Sequence, residues 1–172
     1  TERPRPKPNE EQKKILWQVI ERCLKESQEE LNDFEFRSEP KRFILHGIPG
    51  AGKSKLLFWL RDFYEEVSAW THGVQFVFVA SQNSMAALIA GSTLHSYGMV
   101  PFNTKGGKLA NSYKDDRRDM SKLFLRYEQL RWVWIDECST MGLEPQGVFE
   151  NHLRHYIREE NSWLLRAPDE QR

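Results

Sequence analysis

The fold of this chain is predicted mainly from one stretch, residues 42–54, which reads RFILHGIPGAGKS. Its first part, Arg42 to His46, has three apolar residues at its centre and is predicted to form a short buried strand. Its second part, Gly47 to Ser54, matches the pattern G-x-x-x-x-G-K-[ST] in full. A helix is predicted to follow, from Lys53 to about Trp70. The stretch therefore predicts a strand, a glycine-rich loop and a helix in direct succession.

The glycine-rich loop has the residues that a polyphosphate site needs. Its glycines let the backbone curl so that N–H groups point at phosphate oxygens, and the following helix adds the partial positive charge of its N-terminal end. The ammonium group of Lys53 reaches the β- and γ-phosphates, and the hydroxyl group of Ser54 stands where Mg²⁺ bridges them. The competing interpretation is a glycine-rich turn with an incidental Lys-Ser pair. We predict that ATP and Mg²⁺ are bound by residues of this loop, namely Gly47, Gly50, Ala51, Gly52, Lys53, Ser54 and Lys55.

Helices and apolar strands alternate along the rest of the chain. Asn9 can cap a helix that runs from Glu10 to about Leu31. Further strands are predicted at residues 74–80 and 131–135, and further helices at 84–90, 121–130 and 145–159. Continuous apolar strands between helices are typical of a parallel sheet that is covered by helices on both faces. We therefore predict an α/β fold in which residues 1–8 form a flexible N-terminal arm and residues 9–172 form one domain.

The last predicted strand ends in two acidic residues, Asp136 and Glu137. In phosphate-loop enzymes an aspartate in this place holds Mg²⁺, and a neighbouring glutamate can act as general base toward water. A strand that ends in Asp-Glu is common by itself, but here it follows a complete phosphate loop. We predict Lys53, Asp136 and Glu137 as catalytic residues, and Ser54 and Asp136 as ligands of Mg²⁺. The glutamate favours hydrolysis over kinase activity, because a kinase does not need to activate water.

Other residues near this pair have simpler interpretations. Trp132 and Trp134 alternate with aliphatic residues in the predicted strand, and we interpret them as packing residues. Cys138 is expected to be a small buried filler. The two cysteines, Cys23 and Cys138, form neither a disulfide framework nor a metal-ligand pattern, which fits a reducing intracellular compartment.

Composition limits the classes of protein that the chain can represent. The 172 residues have a mass of 20.4 kDa and are 39% hydrophobic and 29% charged, which is ordinary for one globular domain. The 25 basic and 25 acidic residues give a net charge of zero, which argues against a generally basic nucleic-acid coat and against an acidic tail. No apolar run reaches the roughly 18 residues that a membrane span needs, and no secretory signal is recognisable.

The charge is unevenly distributed along the chain. Residues 103–131 carry eight Lys or Arg against four Asp or Glu, whereas residues 136–172 carry eight acidic residues against four arginines. The basic stretch either binds an anionic ligand such as a nucleic-acid backbone or forms a solvated surface of mixed charge. The sequence leaves both alternatives open.

Four segments together resemble the PIF (petite integration frequency) family of superfamily one DNA helicases, and in particular the helicase region of Helitron-type rolling-circle transposons. They are residues 9–12 (NEEQ), 43–54 (the phosphate loop with its strand), 84–96 (SMAALIAGSTLHS) and 134–141 (WIDECSTM). The most specific part is the Thr-Leu-His-Ser string at residues 93–96, because generic P-loop ATPases lack it. The resemblance covers residues 9 to about 153.

The resemblance implies the N-terminal P-loop NTPase (RecA-like) domain of a helicase that hydrolyses ATP to move along single-stranded DNA, in the 5′ to 3′ direction. It implies that Gln12 reads the edge of the adenine base, as an amide can. It also implies that the segment around residues 83–96 lies along DNA, with contacts from Asn83, Ser84, Thr93 and His95. The resemblance implies work in DNA repair, recombination, telomere maintenance or transposition, in the nucleus or the mitochondrion. We also expect a monomer.

The chain departs from the family pattern in several places. Ser84 stands where the family usually has glycine, Asn83 where it has threonine, and Thr140 where it often has methionine. The 172 residues contain neither the Gly-Asp-x-x-Gln-Leu-Pro segment that senses the γ-phosphate nor a second domain with an arginine finger. An arginine finger contributes about 10³–10⁵ in rate. We therefore expect an incomplete domain with weak hydrolysis when it is isolated.

Three alternatives stay open at this point. The chain can be a truncated or degenerate copy that binds nucleotide or nucleic acid without turnover. It can also be a P-loop ATPase that has no connection with DNA. For a single residue, His95, the alternative to a DNA contact is a hydrogen bond within the chain turn in which it lies.

Overall fold

A computed structural model of the chain describes residues 7–31, 41–45, 50–100, 123 and 125–160. It contains two compact units, Thr1–Leu60 and Arg61–Arg172. Three predictions lie largely outside the described residues: the first six residues of the N-terminal arm, the start of the phosphate loop with Gly47, and most of the basic stretch. The prediction of one domain over residues 9–172 stays a prediction.

The first unit contains helix α1, Glu10–Leu31, as its sequence predicted. Asn9 and Gln12 cap the helix reciprocally. The Gln12 N–H donates to Asn9 Oδ1 at 2.8 Å, and the Asn9 N–H donates to Gln12 Oε1 at 2.9 Å. Val19 and Cys23 lie one helical turn apart and are buried, whereas Leu24, which the same periodicity placed on the buried face, is 58% exposed.

Helix α2, Lys53–Asp62, begins directly after the phosphate loop. It continues into a π-helical segment, Phe63–Val67, so the helical region ends slightly before the predicted Trp70. The apolar residues Leu56, Leu57 and Leu60 of α2 are buried.

The second unit is built on a parallel sheet. The described strands are β1 (Phe76–Ala80), β2 (Ser92–Thr93) and β3 (Trp132–Ile135), in the spatial order β2–β1–β3. Both pairings are parallel, and Val79 lies opposite both Ser92 and Ile135. Every residue of β1 is buried, and this strand lies between the other two. The predicted α/β class with a parallel sheet is confirmed, with helices flanking three described strands.

Three helices of the second unit have complete bounds: α3 (Asn83–Leu88), α4 (Leu94–Gly98) and α5 (Leu143–Glu160). A short 3₁₀ turn, Cys138–Thr140, connects β3 to α5. Residues 123 and 125–127 are also helical. The buried core of this unit joins β1, α4 and α5 with neighbouring segments, and its members are Val77, Val79, Leu94, Tyr97, Val100, Leu123, Tyr127, Met141 and Phe149.

The two tryptophans of β3 are packing residues, as the sequence predicted. Trp132 and Trp134 are each 7% exposed, and their rings stack with centroids 5.8 Å apart. The indole N–H of Trp134 donates to the Tyr64 hydroxyl at 3.2 Å. A buried indole needs such a partner for its polar edge.

The predicted strand at residues 42–46 is wrong for the part that is described. Residues 41–45 have no regular secondary structure, and Ile44 is 90% exposed. An apolar run becomes a strand only where a neighbour accepts and donates its backbone hydrogen bonds. The sequence of the run shows its preference but not that neighbour.

Two further predictions need correction. The strand predicted from Val74 begins at Phe76, because Gly73 is left-handed (φ +85°) and its N–H donates to the Phe76 carbonyl in a turn. Cys138 is exposed and not a buried filler, since the chain leaves the sheet immediately before it. Strand β2 was missed, because a strand of two residues is too short to show a periodic pattern.

Candidate functional site

The phosphate loop is described from Gly50 onward. Gly50 and Gly52 have φ values of +84° and +83°, in a region that side chains rarely tolerate. Helix α2 begins at the next residue, and its first hydrogen bond runs from the Leu56 N–H to the Gly52 carbonyl. The N–H groups in the first turn of an α-helix have no acceptor within the helix, and this end carries a partial positive charge. Ser54 is exposed and Lys53 is half-buried.

Gln12 lies against this loop. Its Nε2 atom is 3.4 Å from the carbonyl oxygens of both Ala51 and Gly52. A Cβ atom on Gly52 would lie 2.7 Å from Gln12 Nε2, so a larger residue here would require the carboxamide to shift. The structure thus brings together the predicted base-reading residue and the predicted phosphate loop, although they are far apart in sequence.

Asp136 and Glu137 form a turn at the carboxyl end of β3. The Asp136 N–H donates to the Val79 carbonyl at 2.8 Å, which extends the β1–β3 ladder by one bond. Asp136 Oδ1 accepts the Glu137 N–H at 3.1 Å. Glu137 is left-handed (φ 49°, ψ 44°), a conformation that costs a non-glycine residue roughly 1–2 kcal/mol. Ligands of open α/β sheets bind at this end of the strands.

Two hydroxyl groups lie next to this turn, of which Thr140 was noted from the sequence only as a departure from the family pattern and Ser81 was missed. Thr140 Oγ1 donates to the Glu137 carbonyl at 2.8 Å and lies 2.7 Å from Ser81 Oγ. Ser81 is the first residue after β1. Its position after an apolar strand is the signal that could have placed it near Asp136, since parallel strands end at one edge of a sheet.

The predicted DNA contacts lie at the same edge of the sheet. Asn83 and Ser84 are exposed at the start of α3, shortly after β1. Thr93 pairs with Ala80 at the end of β2, and its hydroxyl caps α4 by accepting the Ser96 N–H at 3.2 Å. His95 Nδ1 lies 2.9 Å from the Val100 carbonyl, which confirms the local hydrogen bond that was one of its two interpretations. Its contact with DNA stays a prediction.

Helix α4 is held in place by Arg126, which belongs to the basic stretch. Its guanidinium group lies 5.2 Å from the centre of the Tyr97 ring and donates to the Tyr97 carbonyl at 2.6 Å. Burial raises the pKa of Tyr97 to about 12, although the charge of Arg126 acts in the opposite direction. One arginine of the basic stretch therefore has a packing role.

The residues at these sites suit Mg²⁺ by their chemistry. In the described ranges, no group of three or more His, Cys, Asp or Glu side chains is placed to hold a metal ion. Mg²⁺ does not need such a group, because it keeps several waters and usually binds one or two carboxylates together with substrate phosphates. The Asp136 carboxylate and the Ser54 hydroxyl each offer an oxygen donor of this kind. Gly47 lies outside the described residues.

Comparisons of the chain with protein-family models, with curated proteins and with solved structures found no match. Within the described part of the chain, no helix has the length and apolar character of a bilayer span. A function for the chain therefore has to be argued from its motifs and from the geometry of the two groups of residues above.

Proposed function

We propose that this chain binds and hydrolyses ATP·Mg²⁺ as the N-terminal motor domain of a DNA helicase of the PIF family. The observation that carries the proposal is the loop before α2. Two left-handed glycines, Gly50 and Gly52, precede a helix that starts at Lys53, and a complete phosphate-loop sequence surrounds them. Loops of this kind bind nucleotide phosphates through backbone N–H groups and the helix N-terminus.

In the proposed reaction, the loop orients the phosphates and Lys53 balances their negative charge. Glu137 accepts a proton from a water molecule, whose oxygen bonds to the γ-phosphorus as the bond to the bridging oxygen of ADP breaks. Mg²⁺, when bound, neutralises charge on the β- and γ-phosphate oxygens. Asp136 and Ser54 would hold that ion.

Single-stranded DNA is the proposed partner of the sheet edge that carries Asn83, Ser84, Thr93 and His95. The support is that Asp136 and Glu137 follow β3 at the same end of the sheet at which Asn83 follows β1 and Thr93 ends β2. Binding to a DNA backbone releases counterions and falls steeply with salt. The proposal therefore expects salt-sensitive binding of single-stranded DNA.

The test is steady-state ATP hydrolysis with and without single-stranded DNA, together with nucleotide affinity. We expect Lys53→Ala to lower nucleotide affinity by more than about tenfold, because a phosphate-facing charge is lost. Glu137→Gln should keep the affinity and lower kcat by about 10²–10⁴-fold. DNA should raise the rate of the unmodified chain. The matched controls are Lys14→Ala and Glu144→Gln, which change exposed residues of the same types.

Each contrary outcome has a separate meaning. Unchanged nucleotide affinity in Lys53→Ala would contradict the assigned site. Nucleotide binding without turnover, with DNA present, would favour a copy that binds but does not hydrolyse. Hydrolysis without any DNA binding at low salt would favour an ATPase unrelated to DNA.

A further inference from the structure

A directed chain of hydrogen bonds links the turn after β3 to the residue after β1. Thr140 Oγ1 donates to the Glu137 carbonyl at 2.8 Å and lies 2.7 Å from Ser81 Oγ. A hydroxyl group has one proton to donate. Since Thr140 gives its proton to Glu137, Ser81 must donate to Thr140. The approach of Ser81 Oγ to Met85 Sδ is longer, at 3.8 Å, and sulfur is a weaker acceptor.

The chain of hydrogen bonds ends at the carbonyl of Glu137, whose backbone conformation is unusual. Glu137 is left-handed, with φ 49°, which is uncommon for a residue other than glycine. Its carbonyl accepts both the N–H of Thr140, at 2.9 Å, and the Thr140 hydroxyl. If Glu137 relaxed to the right-handed region, its carbonyl would turn away from both donors. The two bonds therefore favour the left-handed conformer.

The conformation of Glu137 also sets the direction in which its side chain leaves the backbone. We propose that Thr140 and Ser81 are positioning residues, which hold the Glu137 carboxylate in the orientation that general-base catalysis requires. This inference rests on the proposed function. Both hydroxyl groups act through Glu137, and neither is assigned a contact with the nucleotide.

The variant Thr140→Val tests the inference directly, because valine has nearly the shape of threonine but no hydroxyl. We expect kcat for ATP to fall about ten- to hundredfold, since a small misplacement of a catalytic group has effects of that size. KM and nucleotide affinity should stay within about twofold, because the phosphate loop is untouched. Thr140→Ser keeps the hydroxyl and should keep most of the activity.

Two further variants test the hydrogen-bond chain. Ser81→Ala should resemble Thr140→Val, and the double variant should lose little more than either single one, because both changes break the same chain. Thr71→Val is the matched control, as Thr71 is an exposed threonine away from the turn. A parallel loss of kcat and nucleotide affinity in Thr140→Val would indicate general damage to the fold and would overturn the inference.

A second measurement does not depend on turnover. Amide hydrogen exchange at Thr140 and Met141 in the full chain should be faster in Thr140→Val and Ser81→Ala, and unchanged in Thr140→Ser. If the unmodified chain hydrolyses ATP and Thr140→Val keeps its kcat, the inference is overturned and the proposed function stands. If the unmodified chain does not hydrolyse ATP, the proposed function fails. In that case, exchange in Thr140→Val at the same rate as in the unmodified chain would overturn the inference too. Faster exchange would support the conclusion that the Thr140 hydroxyl stabilises the turn at Glu137.

Discussion

Both the oxygen and the nitrogen of the Gln12 carboxamide contact other residues of the first unit. Its Oε1 atom accepts the Asn9 N–H at 2.9 Å, and its Nε2 atom lies 3.4 Å from two loop carbonyls. The resemblance to helicases implies that Gln12 reads the adenine base. These contacts indicate a role in supporting the loop, while the second lone pair of Oε1 leaves base reading open as the other role.

Substitution of Gln12 separates these two roles. Gln12→Glu keeps the acceptor for the helix cap, removes the donor to the loop carbonyls and adds a negative charge beside the phosphate site. We expect the helix content of the chain to stay the same by circular dichroism, while the affinities for ATP and GTP fall together by about tenfold or more. If Gln12 read the base instead, Gln12→Ala would weaken ATP binding much more than GTP binding.

Helices α4 and α5 meet at a glycine. A Cβ atom on Gly98 would lie 2.5 Å from Cδ2 of Phe149, which belongs to α5. His152 of the same helix is buried, and its Nδ1 atom lies 2.8 Å from the Gly98 carbonyl. This contact fixes the end of α4, the helix that begins with the Thr-Leu-His-Ser string. By contrast, a Cβ atom on Gly147 in α5 would have no neighbour within 4 Å.

The two glycines should therefore respond in opposite ways to alanine. Gly98→Ala should lower the free energy of unfolding by about 1–3 kcal/mol, because the new methyl group overpacks a filled interface. Gly147→Ala should raise it by up to about 1 kcal/mol, because alanine is the better helix former. Urea unfolding of both variants measures the difference. If Gly98→Ala and Gly147→Ala lost the same stability, the packing of the Phe149 ring against Gly98 would not be tight.

The pH dependence of the whole molecule's stability should depend in part on His72. Burial, with a smaller contribution from the charge of Arg61, lowers the pKa of His72 to about 4 from its usual 6.5. The neutral ring accepts the Phe78 N–H at Nε2, at 3.1 Å. Because the unfolded chain takes up the proton first, the contribution of His72 is present above about pH 6.5 and is lost as the pH falls toward 4.

The variant His72→Gln keeps an acceptor but does not titrate. We expect its free energy of unfolding to change less than that of the unmodified chain between pH 6.5 and 4, when both are measured by urea unfolding. If the free energy of unfolding fell equally with pH in both proteins, groups other than His72 would account for the loss of stability at acidic pH.

Several local features were predictable in the part of the chain that the structure describes. Helix α1 and its Asn9 cap, strand β3 and helix α5 follow from periodicity and capping residues, which operate over a few neighbouring positions. The phosphate-loop pattern and the Asp-Glu pair were equally visible, because each is a contiguous string. The secondary structure of a residue can be predicted from sequence when it depends mainly on neighbouring positions.

The structures of other residues depended on more distant parts of the chain, namely those of residues 42–45, Cys138 and Thr140. The apolar run at 42–45 had strand preference but no pairing partner in its own sequence, and Cys138 was exposed by a turn that the strand pattern did not show. The bond between Thr140 and Ser81 joins positions 59 residues apart. By itself the sequence determined helices α1, α2, α3 and α5 and the parallel α/β class, because these show in the order of neighbouring residues, whereas the five-residue helix α4 was missed. Only the tertiary structure decided which hydroxyl and amide groups contact the phosphate loop and the turn at Glu137. Those contacts depend on how segments that are distant in sequence pack together.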